Sequence, residues 1–242
     1  TVNLLYGVNI IEVVVVAQDE TTKTYTINAT RLSNIAALSG ITTNQGLISP
    51  TFNQNIYAYS LTVTNATTSI SISADPIDNL SEIYVDGVFT SANTLSNPID
   101  LTVGLNPISI TIISSDGSST QNYRINVDRT KSNISTLSAI TLSSGSLSPS
   151  FNAGTTSYTV NLSNATTGIN VTVQPTEINS SIKINDVTVN AGVGSQLIPL
   201  NVGSNQIEIV VTSHNGIVQT TYTVTATRAA STTSSLNNLL VY

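Results

Sequence analysis

The chain has 242 residues, of which 8% are charged and 40% hydrophobic, and its formal net charge is −6. This balance describes folded domains with uncharged polar faces, and its few scattered Lys and Arg supply no basic patch for nucleic acid or an anionic membrane. Cys, Met and Trp are absent, which excludes a disulfide framework, thiolate metal sites and a Cys nucleophile.

No apolar run of roughly 18 residues and no charged-then-apolar leader occurs, so no membrane insertion and no signal peptide are expected. The chain reads as a processed product or a segment of something longer. Apolar residues recur with period 2, rich in β-branched types, and no 3.6-residue stripe with helix caps is found. An all-β protein follows.

Taken in order, residues 1–31 carry strands near 2–6, 10–17 and 24–30. They include Gly7-Val-Asn-Ile-Ile-Glu-Val13 and a stretch from Tyr25 to Arg31. Residues 32–129 then carry strands near 38–42, 58–63, 69–74, 82–86, 99–103, 107–114 and 122–128. Alternation turns Tyr59, Leu61 and Val63, then Ile70 and Ile72, then Ile83 and Val85 towards a core. Asp86-Gly87 and Asp116-Gly117 mark hairpin tips.

Residues 130–228 repeat this series. Tyr158, Val160 and Leu162 match the first group, Ile169, Val171 and Val173 the second, and Ile182 and Ile184 the third, with tips at Asn185-Asp186 and Asn215-Gly216. The phrase Gly46-Leu-Ile-Ser-Pro-Thr-Phe-Asn53 returns as Gly145-Ser-Leu-Ser-Pro-Ser-Phe-Asn152, its Pro keeping it out of a central ladder and Phe52 and Phe151 plugging one end of each core. The ending Gly104-Leu-Asn-Pro-Ile-Ser-Ile110 with Tyr123 to Arg129 recurs as Gly203-Ser-Asn-Gln-Ile-Glu-Ile209 with Tyr222 to Arg228. Tyr25, Tyr123 and Tyr222 therefore stand 98 and 99 residues apart, a period of whole domains rather than of solenoid units. Asp19-Glu20 occupies the tip in the first copy, which is one residue shorter there, so its turn should differ in type. Residues 229–242 hold Leu236-Asn-Asn-Leu239, matching Leu137-Ser-Ala-Ile140, and supply a first strand.

These phrases resemble the cadherin-like β-sandwich repeat of bacterial surface proteins: the Leu-x-x-Ile openings at Leu38 and Leu137, the Gly-x-Leu/Ile-Ser-Pro-x-Phe phrase, and the Tyr-x-Ile/Val-x-x-x-Arg ending. The resemblance implies tandem immunoglobulin-like sandwiches of about seven strands each, whole at 32–129 and 130–228 and partial at 1–31 and 229–242. It also implies a non-catalytic spacer in secreted or wall-attached proteins. Calcium rigidification is not carried over, since no Asp-x-Asn-Asp-like run is present.

The chemistry points the same way. Arg31, Arg129 and Arg228 end the last strand of each copy and are expected to fix the inter-domain junction by bonding carbonyls or an acid of the next domain. Tyr25, Tyr123 and Tyr222 are expected in the core. Asp75, Asp78 and Glu82 form the densest acidic group and the one place for a calcium ion, but a solvated loop is the better reading. His214, the only histidine, sits at a tip without a repeated acid partner, so no catalytic residues are assigned. Lys23, Lys131 and Lys183 occupy unrelated repeat positions and imply no systematic isopeptide link, and the Asn65 and Asn164 sequons are ascribed to composition. No cofactor is expected.

About 53 residues of a repeat are missing between the two partial ends, close to four strands, so simple strand donation does not close a sandwich. A window on a longer tandem array is preferred. The alternative is that the apolar strand at 10–16 pairs with a partner chain, because such a bare edge invites association. The expected role is a stiff stalk or fibre module on a bacterial surface or in extracellular material, its partners being neighbouring copies of the repeat, with a filament as the assembled form. The rival is an adhesin holding a glycan or host surface protein on hairpin tips or strand faces, against which stands the lack of an exposed aromatic platform.

Overall fold

The computed structural model describes residues 1–233; the Leu236 to Leu239 phrase lies outside the described residues. The chain divides into two compact units between Lys131 and Ser132. It opens on a hairpin of β1 (Gly7–Val16) and β2 (Thr22–Arg31), paired antiparallel along their whole length from Gly7 opposite Arg31 to Val16 opposite Thr22.

The first sandwich consists of β3 (Leu38–Thr43), β4 (Ala58–Val63), β5 (Ser69–Ile70), β6 (Ile72–Pro76), β7 (Glu82–Val85), β8 (Val88–Thr90), β9 (Ile99–Asp100), β10 (Gly104–Ile113) and β11 (Thr120–Arg129). One five-stranded sheet has the order β4-β11-β10-β7-β8, with β4 and β11 parallel and the other neighbours antiparallel. Two short antiparallel pairs, β3 with β6 and β5 with β9, supply the rest. The second sandwich repeats the plan strand for strand: β12 (Leu137–Leu142), β13 (Ser157–Leu162), β14 (Gly168–Ile169), β15 (Val171–Pro175), β16 (Ser181–Ile184), β17 (Val187–Val189), β18 (Ile198–Pro199), β19 (Gly203–Thr212) and β20 (Gln219–Arg228).

Alternation decides which side chains are buried. Along β4 every second residue, Tyr59, Leu61 and Val63, is buried, as are Ile108, Ile110 and Ile112 on β10 and Tyr123, Ile125 and Val127 on β11. The second core repeats the pattern with Tyr158, Val160, Leu162, Ile207, Ile209, Val211, Tyr222, Val224 and Ala226. Phe52 stacks on Tyr59 at 5.9 Å and Phe151 on Tyr158 at 5.9 Å, so the two plugs sit as expected, each against its core.

The strand expected near 2–6 is not formed: β1 begins only at Gly7, and the N-terminal copy has two strands, not three. Two further departures have local causes. The single strand expected at 69–74 is two, because the chain changes partner at Ser71: Ile70 pairs with Ile99 while Ile72 pairs with Thr43. Strand β8 was not expected. Asp86 and Gly87, at φ of 50° and 80°, make a two-residue turn that returns the chain beside β7, as the primed hairpin turns require. Asn185 and Asp186 do the same in the second sandwich.

Candidate functional site

The repeated Gly-x-Asn phrase is a backbone clamp. Asn106 accepts a hydrogen bond from the Thr102 amide at 2.9 Å and donates to the carbonyls of Thr102 and Gly104 at 2.8 Å and of Val127 at 3.3 Å, tying the start of β10 to β11. Asn205 does the same with Asn201, Gly203 and Ala226, and Asn9 with Leu5, Gly7 and Ala29. The preceding Gly7, Gly104 and Gly203 all take φ between 93° and 97°, a region that L side chains rarely adopt.

The three arginines, expected to bond across the junction to the next domain, bond carbonyls of their own repeat among the described residues. Arg129 donates from Nε and Nη2 to Asn65 O, at 2.8 and 2.6 Å, and from Nη1 to Leu101 O at 2.8 Å. Arg228 bonds Asn164 O and Leu200 O, both at 2.9 Å. Arg31 keeps the equivalent of the second bond, to Leu4 O at 2.7 Å, and lies over the Tyr6 ring. The guanidinium fork thus closes the end of its own sandwich, where the loop after the first long strand would otherwise leave carbonyls unpaired. Asn65 and Asn164 bond the chain exit in turn: Asn65 Nδ2 donates to Thr130 O at 3.0 Å and Asn164 Nδ2 to Ala229 O at 2.9 Å.

The segments joining the repeats are bonded down almost to the last residue. Thr130 donates its amide to Val63 O and so belongs to the first sandwich, while Ser132, 2% exposed, accepts from the Asn215 amide and so belongs to the second. Only Lys131 separates them. Ser33 is held likewise, its carbonyl accepting from the Asp116 amide and the Ser115 hydroxyl and its own hydroxyl donating to Asp78. Burial pushes the Asp78 carboxyl up, but hydrogen bonds from Ser33, the Leu80 amide and Ser115 outweigh it and hold the group below the ordinary carboxylate range.

That arrangement disperses the calcium candidate. Asp78 serves Ser33 and Ser115, Glu82 accepts from the Tyr84 hydroxyl at 3.0 Å, and Asp75 lies beside Gly40 and Ser73. Among the described residues no group of three or more acids or histidines is placed to hold a metal. His214 has a buried Nδ1 without a hydrogen-bond partner among the described residues. Lys23, Lys131 and Lys183 are all exposed, whereas an isopeptide link needs a buried lysine.

Tyrosine placement separates the first copy from the other two. Tyr123 accepts from the Leu38 amide at 3.3 Å and Tyr222 from the Leu137 amide at 3.0 Å, both inside cores. Tyr25, expected in a core as well, is 51% exposed with Lys23 Nζ 5.2 Å above its ring. Val13 and Ile27 beside it are 43% and 52% exposed, although their counterparts Ile110 and Ile125 are fully buried. The hairpin thus carries the inner face of a sandwich with nothing described that covers it. A second surface escaped the sequence reading: Tyr57 and Phe89 are exposed at 47% and 60%, so aromatic rings are displayed after all. Their lack of a counterpart in the next copy was the available signal.

The fold and these repeats agree with the comparisons. The family model for the cadherin-like β-sandwich domain matches twice, over residues 37–130 and 137–229. No curated relative matches the chain by sequence. Solved structures with likeness include the titin domains z1z2 in complex with telethonin, at 12% identity and a TM-score of 0.35, covering 81% of this chain and 99% of that one. They also include extracellular cadherin domains 1–4 of protocadherin gamma B7, at 10% identity and a TM-score of 0.30, covering 91% of this chain and 57% of that one. Such distant likenesses decide nothing about function. Domains of this type are generally extracellular and typically non-catalytic, and no helix among the described residues is long and apolar enough to cross a membrane. With both sandwiches matched over well over half its length, the chain belongs to the cadherin-like β-sandwich domain family.

Proposed function

We propose that this chain is a non-catalytic structural segment of a bacterial cell-surface or extracellular protein, in which tandem sandwiches form a stiff stalk or fibre. The observation that carries the reading is the connection at Lys131: Thr130 is bonded into one sandwich and Ser132 into the other, leaving one residue free of either. A connection that short removes most of the conformational freedom that a loop of median length, about 4–6 residues, retains. Surfaces rich in Ser, Thr and Asn with 8% charged residues suit a spacer that does not stick to its surroundings.

The hairpin fits the same picture as the last two strands of a third sandwich in the array. Its clamp at Asn9 and its Arg31 bond to Leu4 O repeat the closing geometry of both whole domains. Neighbouring repeats of the same kind, in one chain or assembled into a filament, would cover its apolar face.

Pulsed dipolar electron paramagnetic resonance with paired spin labels, one on a cysteine introduced at an exposed position of each sandwich, tests the stalk. A single narrow inter-label distance is expected, broadening when four Gly-Ser residues are inserted after Lys131. A broad distribution in the unaltered chain would overturn the reading.

A further inference from the structure

The two sandwiches share their core aromatics one for one: Phe52 with Phe151, Tyr59 with Tyr158, Tyr123 with Tyr222. Three aromatics of the first sandwich have no counterpart. Tyr57, Tyr84 and Phe89 stand where the second has Thr156, Lys183 and Thr188. The second sandwich forms the same sheet without them, and of the three only Tyr57 leans on the core, its ring centroid 5.5 Å from that of Tyr123. All three belong to the five-stranded sheet or its immediate entrance, and none is buried.

Tyr84 and Phe89 are cross-strand partners at the sheet edge, ring centroids 5.9 Å apart and edge to face. They point outward, since Ile83 and Val85 on either side of Tyr84 are 1% and 2% exposed in the core. Polar planar groups continue the same face. Tyr84 stands opposite Thr111, whose hydroxyl donates to Asn122 Oδ1 at 2.7 Å, and one row further Arg124 stands opposite Ser109. Tyr57, Asp86, Asn122 and Arg124 line an open depression of about 300 Å³. Pro107, also in its wall, pairs with Asn126, whose buried Oδ1 has no hydrogen-bond partner among the described residues.

We infer that this outer face of the first sandwich binds a neutral glycan chain. A pyranose ring presents an apolar C–H face that packs on an aromatic ring, and its rim of hydroxyls pairs with amide, carboxylate and guanidinium forks. Rings alternating with such forks on an open sheet match a polysaccharide laid across the strands, not a small molecule enclosed in a pocket. Arg124 is accompanied by Asp86 and Glu82, so the face carries no excess of positive charge, and the whole chain is at −6. An anionic glycan is therefore disfavoured.

The second sandwich supplies the test. Tyr84→Lys with Phe89→Thr installs the residues that already sit in the equivalent strands of a folded domain, and Arg124→Thr does the same on β11. The full chain is run by affinity electrophoresis through gels containing neutral polysaccharides: α- and β-glucans, mannan, xylan and galactan. Retardation by at least one is expected. The Tyr84→Lys, Phe89→Thr pair should weaken it by about tenfold or more, equivalent to about 1.4 kcal/mol, with the melting temperature unchanged. Thr188→Ala in the second sandwich should leave it unaltered. No retardation in any gel, or retardation indifferent to the pair, overturns the inference. So does concentration-dependent self-association that the pair abolishes, because β8 would then be an edge for a second copy.

Discussion

The hairpin of β1 and β2 and its counterpart of β10 and β11 are the same sequence element in two settings. Both keep every local device: the Gly at φ of 93° or 97°, the Asn9 or Asn106 clamp, and the arginine bond to the carbonyl of Leu4 or Leu101. What they do not share is burial. Ile110 and Ile125 are at 0% exposure while Val13 and Ile27 are at 43% and 52%, and the second partner of Arg129, Asn65 O, lies outside the two paired strands. Register and turn geometry are therefore properties of the two strands alone. The core is a property of the strands brought over them from elsewhere in the chain.

The largest break in that comparison comes from truncating a matched core position. Ile110→Ala should cost about 2–5 kcal/mol in denaturant unfolding of the first sandwich, whereas Val13→Ala should stay within about 0.5 kcal/mol, since truncating a side chain already 43% exposed among the described residues opens no cavity. Equal losses would mean that the hairpin face is covered.

Next comes the guanidinium. Arg129→Ala removes three hydrogen bonds from a charged donor, and thermal unfolding should show a loss of about 1.5–3 kcal/mol. Arg31→Ala, with one exposed bond, should be near neutral.

The smallest expected effect is in acid. The Asp78 carboxyl has its pKa lowered in the folded state, so its contribution is present above the ordinary carboxylate range and is lost as pH falls through the folded value. Asp78→Asn should flatten that part of the stability-against-pH curve of the first sandwich. Asp19 in the hairpin turn is also lowered, chiefly by the Thr21 hydroxyl and amide, but it is fully exposed and spans a single turn. Asp19→Asn should leave sandwich melting unchanged at every pH.

Much of this was legible beforehand because β strands advertise their buried side. The period-2 pattern marked Tyr59, Leu61 and Val63, and the 98- and 99-residue spacing marked which segments are one domain repeated. Partner exchange at Ser71 was hidden, because Ile70 and Ile72 are both buried while their ladders run to different strands. The direction of the Arg129 fork was hidden for a similar reason: its acceptors, Asn65 O and Leu101 O, are backbone carbonyls that carry no side-chain signature. Tyr84 and Phe89 escaped because each fits an ordinary strand pattern, and only their pairing across the Asp86-Gly87 turn places them on one outward face.

By itself the sequence determined the all-β class, the repeat and its period, the core-facing residues and the turn positions, all of which follow from alternation and from residues that tolerate positive φ. Tertiary structure decided which strands share a ladder, which carbonyls the arginines reach and how little free chain separates the domains. Each of those depends on contacts between segments far apart in the chain, and local patterning holds no information about which distant backbone arrives.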